Sequence, residues 1–228
     1  MKSYDFLLFD ADGTLLDFDL CEKKALEETL SHYGIAADRE TLCQYHRINA
    51  ALWEQFNRGE IDRPRLLYRR FAQLCQWLDR QEDPGQMNRF YMERLSRHAD
   101  LLEESAEVCN ILSQKYKLYI ITNGASLTQH GRFAVCPLTP LFQQIFISED
   151  MGVQKPQKAY FDAVAAAIPQ FDPALALVIG DSLSSDMLGA YNAGIDSCWY
   201  NPLGTENRSG VPCTYEIRRL RELLSLLP

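Results

Sequence analysis

The sequence has no excess of basic charge. It holds 23 lysines and arginines against 31 aspartates and glutamates, a formal net charge of −8. Proteins that grip nucleic acid through its phosphates carry the opposite bias, so no nucleic-acid partner is expected. Long apolar runs are missing too. None approaches the roughly 18 residues of a membrane span, so no membrane partner is expected either. Cysteine pairing is absent: the seven cysteines are odd in number and form no CxxC motif. They read as reduced thiols in apolar settings, which implies a reducing compartment. The opening MKSYDFLLFDADG has only a short apolar run broken by Asp10. That does not read as a signal peptide, and a cytoplasmic location is expected. The four histidines, His32, His46, His98 and His130, are scattered and form no ligand pair. No internal repeat or low-complexity stretch stands out.

What is present is enough apolar material for a large core. The hydrophobic fraction is 46% over 228 residues, which suits one domain with a smaller insert. Short continuous apolar runs occur at Phe6–Phe9, Leu118–Ile121, Ile145–Ile147, Leu175–Ile179 and Cys198–Tyr200. Such runs fit buried parallel strands. Helical patterns lie between most of them, at about 104–116, 126–135, 158–168 and 185–193. The alternation predicts an α/β fold, a parallel sheet with helices on both faces.

Residues 18–94 break that rhythm. They contain no convincing strand and read as four helices, ending at Gly34, ending near Gly59, opening at Pro64, and opening at Asp83-Pro84. This segment is close to neutral, with 12 basic and 13 acidic residues against 11 and 18 elsewhere. The acidity therefore belongs to the α/β part.

In open α/β sheets, ligands bind beyond the carboxyl ends of the strands. The polar residues that follow the apolar runs are Asp10-Ala11-Asp12-Gly13-Thr14, Thr122-Asn123-Gly124, Lys155-Pro156 and Gly180-Asp181-Ser182, with Asp186 a turn later. Two carboxylates about 4 Å apart repel by roughly 4 kcal/mol at an effective dielectric of 20. Asp10, Asp181 and Asp186 together therefore call for a cation. A set of oxygen ligands without His or Cys selects Mg²⁺. With Lys155, such an ion balances the three carboxylates and lets a phosphate dianion approach. Asp10 can then attack phosphorus as a carboxylate nucleophile. Asp12, brought back over the site by a turn at Gly13, suits the general acid and base. Thr122, Asn123 and Lys155 suit the phosphate oxygens.

The segments FDADGTL, ITNG, a KP dipeptide after a glycine, and GDSLSSD resemble the four motifs of the haloacid dehalogenase-like hydrolase superfamily, in order. The resemblance implies a Rossmann-like core from residues 1–17 and 95–228, and an inserted all-helical cap at 18–94. It also implies Mg²⁺ held by Asp10, the backbone carbonyl of Asp12, and Asp181, with Asp186 supporting the metal or its waters. Dehalogenases of the superfamily lack the second aspartate of the first motif, so Asp12 points to a phosphatase.

DADGTLLDFD, INAALWEQFNRGEI with RLLYRRF, and ITNGASLTQHGRF resemble the bacterial pyrimidine 5′-nucleotidases of that superfamily. The expected function is thus a Mg²⁺-dependent phosphomonoesterase that forms an aspartyl-phosphate and acts on nucleoside monophosphates. Its rivals are a phosphatase of sugar phosphates or other small phosphometabolites, and a silent phospho-ligand binding module. Gln154 departs from the usual small or basic residue before the lysine. The arginines between Arg58 and Arg70 read as a solvated helix face. Trp53 and Phe56 read as packing inside the helical segment rather than a base-stacking pair.

Overall fold

The computed structural model describes residues 2–227. Six strands form one parallel sheet in the order β3-β2-β1-β4-β5-β6. They are β1 Phe6–Phe9, β2 Lys117–Thr122, β3 Phe142–Ile147, β4 Ala176–Gly180, β5 Asp196–Tyr200 and β6 Tyr215–Ile217. β1 and β4 are buried at every position. That is the reason for their unbroken apolar runs: helices cover both faces of the sheet. One apolar cluster includes Leu7, Phe9, Ile120 and Ile179, and the other includes Leu8, Ile121, Val178 and Trp199. Alternate residues of the same strands supply the two faces. Among the described residues, no helix is long and apolar enough to cross a membrane.

Of the five helices between β1 and β2, the first four form a group: α1 Phe18–His32, α2 Arg39–Asn57, α3 Arg63–Leu78 and α4 Pro84–Leu95. All four start alike. Asp17, Asp38, Asp62 and Asp83 each accept a hydrogen bond from a backbone amide of the first turn. Each satisfies an amide that has no intrahelical partner and sets a negative charge at the helix's positive end. These helices enclose a separate apolar cluster that includes Leu26, Tyr45, Phe71 and Tyr91. The two connections to the sheet are stitched to each other: the Asp17 amide donates to the Asp100 carbonyl (2.9 Å), and the Leu102 amide to the Leu15 carbonyl (3.0 Å).

The remaining helices are α5 Ser105–Leu112, α6 Ser126–Val135, α7 Ser148–Met151, α8 Lys158–Ala167, α9 Leu188–Ala193 and α10 Leu223–Leu226. Two features differ from the sequence expectation. β6 has no apolar run to announce it, because only Ile217 of its three residues is buried. The helix expected at 185–193 begins as a π-helical turn at Leu183–Met187. That wider turn follows Asp181 directly and carries Asp186, a common location for such turns at functional sites.

Candidate active site

β1 occupies the middle of the sheet, so the chain leaving it emerges between the ends of β2 and β4. The Asp10 amide donates to the Ile179 carbonyl at 2.8 Å, which ties the first residue past β1 to β4. Asp10 is almost completely buried. Lys155 reaches it from the loop before α8. The Lys155 Nζ donates to Asp10 Oδ1 (2.6 Å), Asp186 Oδ1 (2.7 Å) and the Ile121 carbonyl (2.8 Å), which uses all three of its protons. Asn123 holds that loop: its Nδ2 donates to the Lys155 carbonyl (2.9 Å), and its Oδ1 accepts from the Lys155 amide (3.0 Å). The Asn123 amide is thus spent on positioning Lys155.

Carboxylate oxygens of Asp10, Asp181 and Asp186 lie within 4.8 Å of one another. One lysine does not balance three acids, and the titration behaviour records the deficit. Burial, together with Asp186 and Asp181, raises the Asp10 pKa well above the usual carboxylate range, although Lys155 opposes the shift. Desolvation and then Asp186 push Asp181 up to about 7, even though its side chain opens on the cleft. Lys155 moves the other way. Burial alone would lower its pKa, but Asp10 and Asp186 outweigh burial and raise it. A site of oxygen donors that lacks positive charge fits a hard divalent cation such as Mg²⁺. Asp10, Asp181 and Asp186 are the side chains able to hold it. Gly13 leaves room for this grouping: it has φ +80°, and a Cβ there would stand 2.8 Å from Asp181 Oδ2.

The carboxylate of Asp12 faces a different set of partners. Gln129 Nε2 donates to its Oδ2 at 2.7 Å, and Arg132 Nη1 donates to its Oδ1. Gln129 Nε2 also donates to Thr122 Oγ1 at 3.1 Å, so one amide links Asp12 to Thr122. Arg132 is fully buried and donates through Nε to the His98 carbonyl at 2.9 Å. Gly124 lets Gln129 cross, because a Cβ there would collide with the Gln129 side chain. Gln129 and Arg132 carry no mark in the sequence reading beyond their place inside ITNGASLTQHGRF. Their spacing of three residues on α6, on one helix face, was the available signal.

Asp10, Asp12, Thr122, Asn123, Lys155, Asp181 and Asp186 all line one cleft of about 300 Å³. α1 and α2 form its opposite wall, with Phe18, Glu22, His46, Asn49 and Trp53. The two aromatics that the sequence grouped stay in edge-to-face contact, with ring centroids 5.5 Å apart. Phe56 is buried in the helical cluster, while Trp53 packs against that cluster and also lines the cleft. Arg58, Arg65 and Arg69 are exposed, as a solvated face requires, but Arg63 and Arg70 depart from that reading. Arg63 donates to the Asn123 carbonyl (3.0 Å) and Ser148 Oγ (2.8 Å). Arg70 is buried, pairs with Asn88 Oδ1, and stacks over the Tyr91 ring at 4.6 Å. Neither lines the cleft. These two arginines hold helices in place.

Comparison with known proteins agrees with this geometry. The family model described as haloacid dehalogenase-like hydrolase matches residues 7–200. The chain is 39% identical over 227 residues to the HAD-hydrolase YfnB of Bacillus subtilis, covering 100% of this chain and 97% of that protein. A crystal structure of YfnB bound to magnesium superposes with a TM-score of 0.95 and covers 99% of both chains. The chain is also 36% identical to the pyrimidine 5′-nucleotidase PynA of Streptococcus pneumoniae, covering 98% of this chain and 95% of that protein. With the pyrimidine 5′-nucleotidase YjjG of Escherichia coli it shares 32% identity, covering 98% of each. The chain belongs to the haloacid dehalogenase-like hydrolase family.

Proposed function

We propose that the protein is a Mg²⁺-dependent phosphomonoesterase that forms an aspartyl-phosphate on Asp10 and hydrolyses pyrimidine nucleoside 5′-monophosphates. The observation that carries this reading is the buried cluster of Asp10, Asp181 and Asp186 around Lys155, at the end of the central strand. PynA and YjjG, similar along their whole length, carry the substrate class. In this reading, residues 18–94 are the cap and residues 1–17 with 95–228 the catalytic core. Bound Mg²⁺ supplies positive charge to the carboxylates and the phosphoryl oxygens.

Asp10 must attack as a carboxylate, and its raised pKa measures what the ion has to offset. An Asp10 oxygen bonds to phosphorus while the ester P–O bond breaks. Asp12 gives its proton to the departing nucleoside oxygen, then takes one from the water that attacks phosphorus. That second attack breaks the Asp10–phosphoryl bond and releases inorganic phosphate. Thr122 donates its hydroxyl to a phosphoryl oxygen. Lys155, whose protons are committed to Asp10, Asp186 and the Ile121 carbonyl, supplies positive charge beside the phosphoryl group, and Asn123 holds Lys155.

Asp10→Asn should abolish turnover of uridine 5′-monophosphate and p-nitrophenyl phosphate alike. A fully active variant would sink the mechanism. A panel of nucleoside monophosphates and sugar phosphates tests the substrate class: preference for sugar phosphates would overturn the nucleotidase reading while leaving the phosphatase intact.

A further inference from the structure

The cleft wall formed by α1 and α2 carries a polar cluster that the phosphoryl chemistry does not use. Glu22 of α1 is buried, and both its oxygens are occupied by α2. Asn49 Nδ2 donates to Oε1 at 2.6 Å, and His46 Nδ1 meets Oε2 at 2.8 Å. The bond from Nδ2 fixes the orientation of the Asn49 amide, so Oδ1 is the atom left over. Asn49 is only 2% exposed and its Oδ1 has no hydrogen-bond partner. An apolar pair would join α1 to α2 without stranding an acceptor, and stranded buried acceptors are costly to keep. His46 likewise keeps one nitrogen, Nε2, and its side chain is about half exposed. Phe18 and Trp53 line the same cleft.

We propose that Glu22, His46 and Asn49 form a subsite that reads the edge of the nucleobase, between the aromatic surfaces of Phe18 and Trp53. The inference rests on the nucleotidase reading and deepens it. Asn49 Oδ1 needs an N–H from the ligand. With Glu22 ionised, the His46 Nδ1–H donates to it, and this bond raises the imidazole pKa. Nε2 is the ring atom left to face a ligand, and when the ring carries its second proton it donates Nε2–H to a carbonyl. A donor beside an acceptor on a flat ring is the edge of uracil: N3–H with a neighbouring carbonyl. Flat aromatic walls suit a base better than they suit a sugar, which needs polar groups all round. Glu22 is a positioning residue: it touches no ligand but sets which atoms Asn49 and His46 present.

The test uses uridine 5′-monophosphate, 3-methyluridine 5′-monophosphate and ribose 5-phosphate, with Mg²⁺, on the wild-type protein and on Asn49→Leu. Each protein is scored by its own kcat/KM ratios, so partial loss of folded protein cancels. The wild type should prefer uridine over its 3-methyl analogue by about tenfold, the size of one buried hydrogen bond. In Asn49→Leu that preference should fall to near unity. His46→Phe, at a half-exposed site that tolerates exchange, should lower the ratio of uridine 5′-monophosphate to ribose 5-phosphate. Equal use of the two uridine nucleotides by the wild type, or a preference that survives in Asn49→Leu, overturns the subsite. If the wild type hydrolyses ribose 5-phosphate as well as any nucleotide, the nucleotidase reading itself has failed, a separate result.

Discussion

Asp10 and Asp12 stand two residues apart, yet their carboxylates have different surroundings. Asp10 sits in a buried cluster of like charge around Lys155, while Asp12 is gripped by Gln129 and Arg132. The spacing D-x-D anticipates two jobs. It does not disclose the grip, because Gln129 and Arg132 arrive from a helix more than a hundred residues away. If that grip fixes the oxygens of the acid, Arg132→Met should injure poor leaving groups most. Turnover of uridine 5′-monophosphate is expected to fall about a hundredfold, within the range of general acid catalysis. p-Nitrophenyl phosphate, whose leaving group needs no proton, should lose less. Equal losses on both substrates would count against the positioning role. Gly124→Ala should reproduce part of this effect, since a methyl group there displaces Gln129.

The first four helices after β1 are legible in sequence through the stops at Gly34 and Gly59, the starts at Pro64 and Asp83-Pro84 and their apolar faces; the structure adds an Asp cap to each. Asp62 illustrates how closely cap and site are joined. It caps α3 just before Arg63, and Arg63 reaches Asn123 and Ser148 beside the cleft. Asp62→Ala should cost about 1 kcal/mol of stability, as loss of an N-cap does. Chemical denaturation measures it; an unchanged midpoint would mean that Arg63 alone anchors the helix start. β6 and the π-helical turn were not legible for opposite reasons. β6 is three residues of edge strand held by pairing with β5. The turn at Leu183–Met187 has an ordinary helical composition, and its Asp186 fits only because Gly180 has no Cβ to meet it.

Across the whole molecule, the acid cluster sets a balance between fold and metal. Asp10 and Asp181 have folded-state pKa values above those of an unfolded chain. At these two groups the native state binds more protons than the unfolded one, so their contribution to stability is lost as pH rises from about 4 through about 7. Mg²⁺ held by these carboxylates, as proposed above, would offset that loss only where they are ionised. Thermal melts should show a clear rise in Tm with Mg²⁺ at pH 8 and little or none at pH 5. A rise of equal size at both values would mean that the ion binds elsewhere. By itself, the sequence determined the strand runs, the strand-end acids, the lysine and the family. All of these are local patterns or fixed motifs. Tertiary structure alone decided which side chains complete the site. Gln129, Arg132, Glu22, His46 and Asn49 meet side chains distant in sequence, and a helix pattern reports only that a face is polar, not what it will meet. For the same reason, only packing could single out Arg63 and Arg70 as anchors from a run in which Arg58, Arg65 and Arg69 stay exposed.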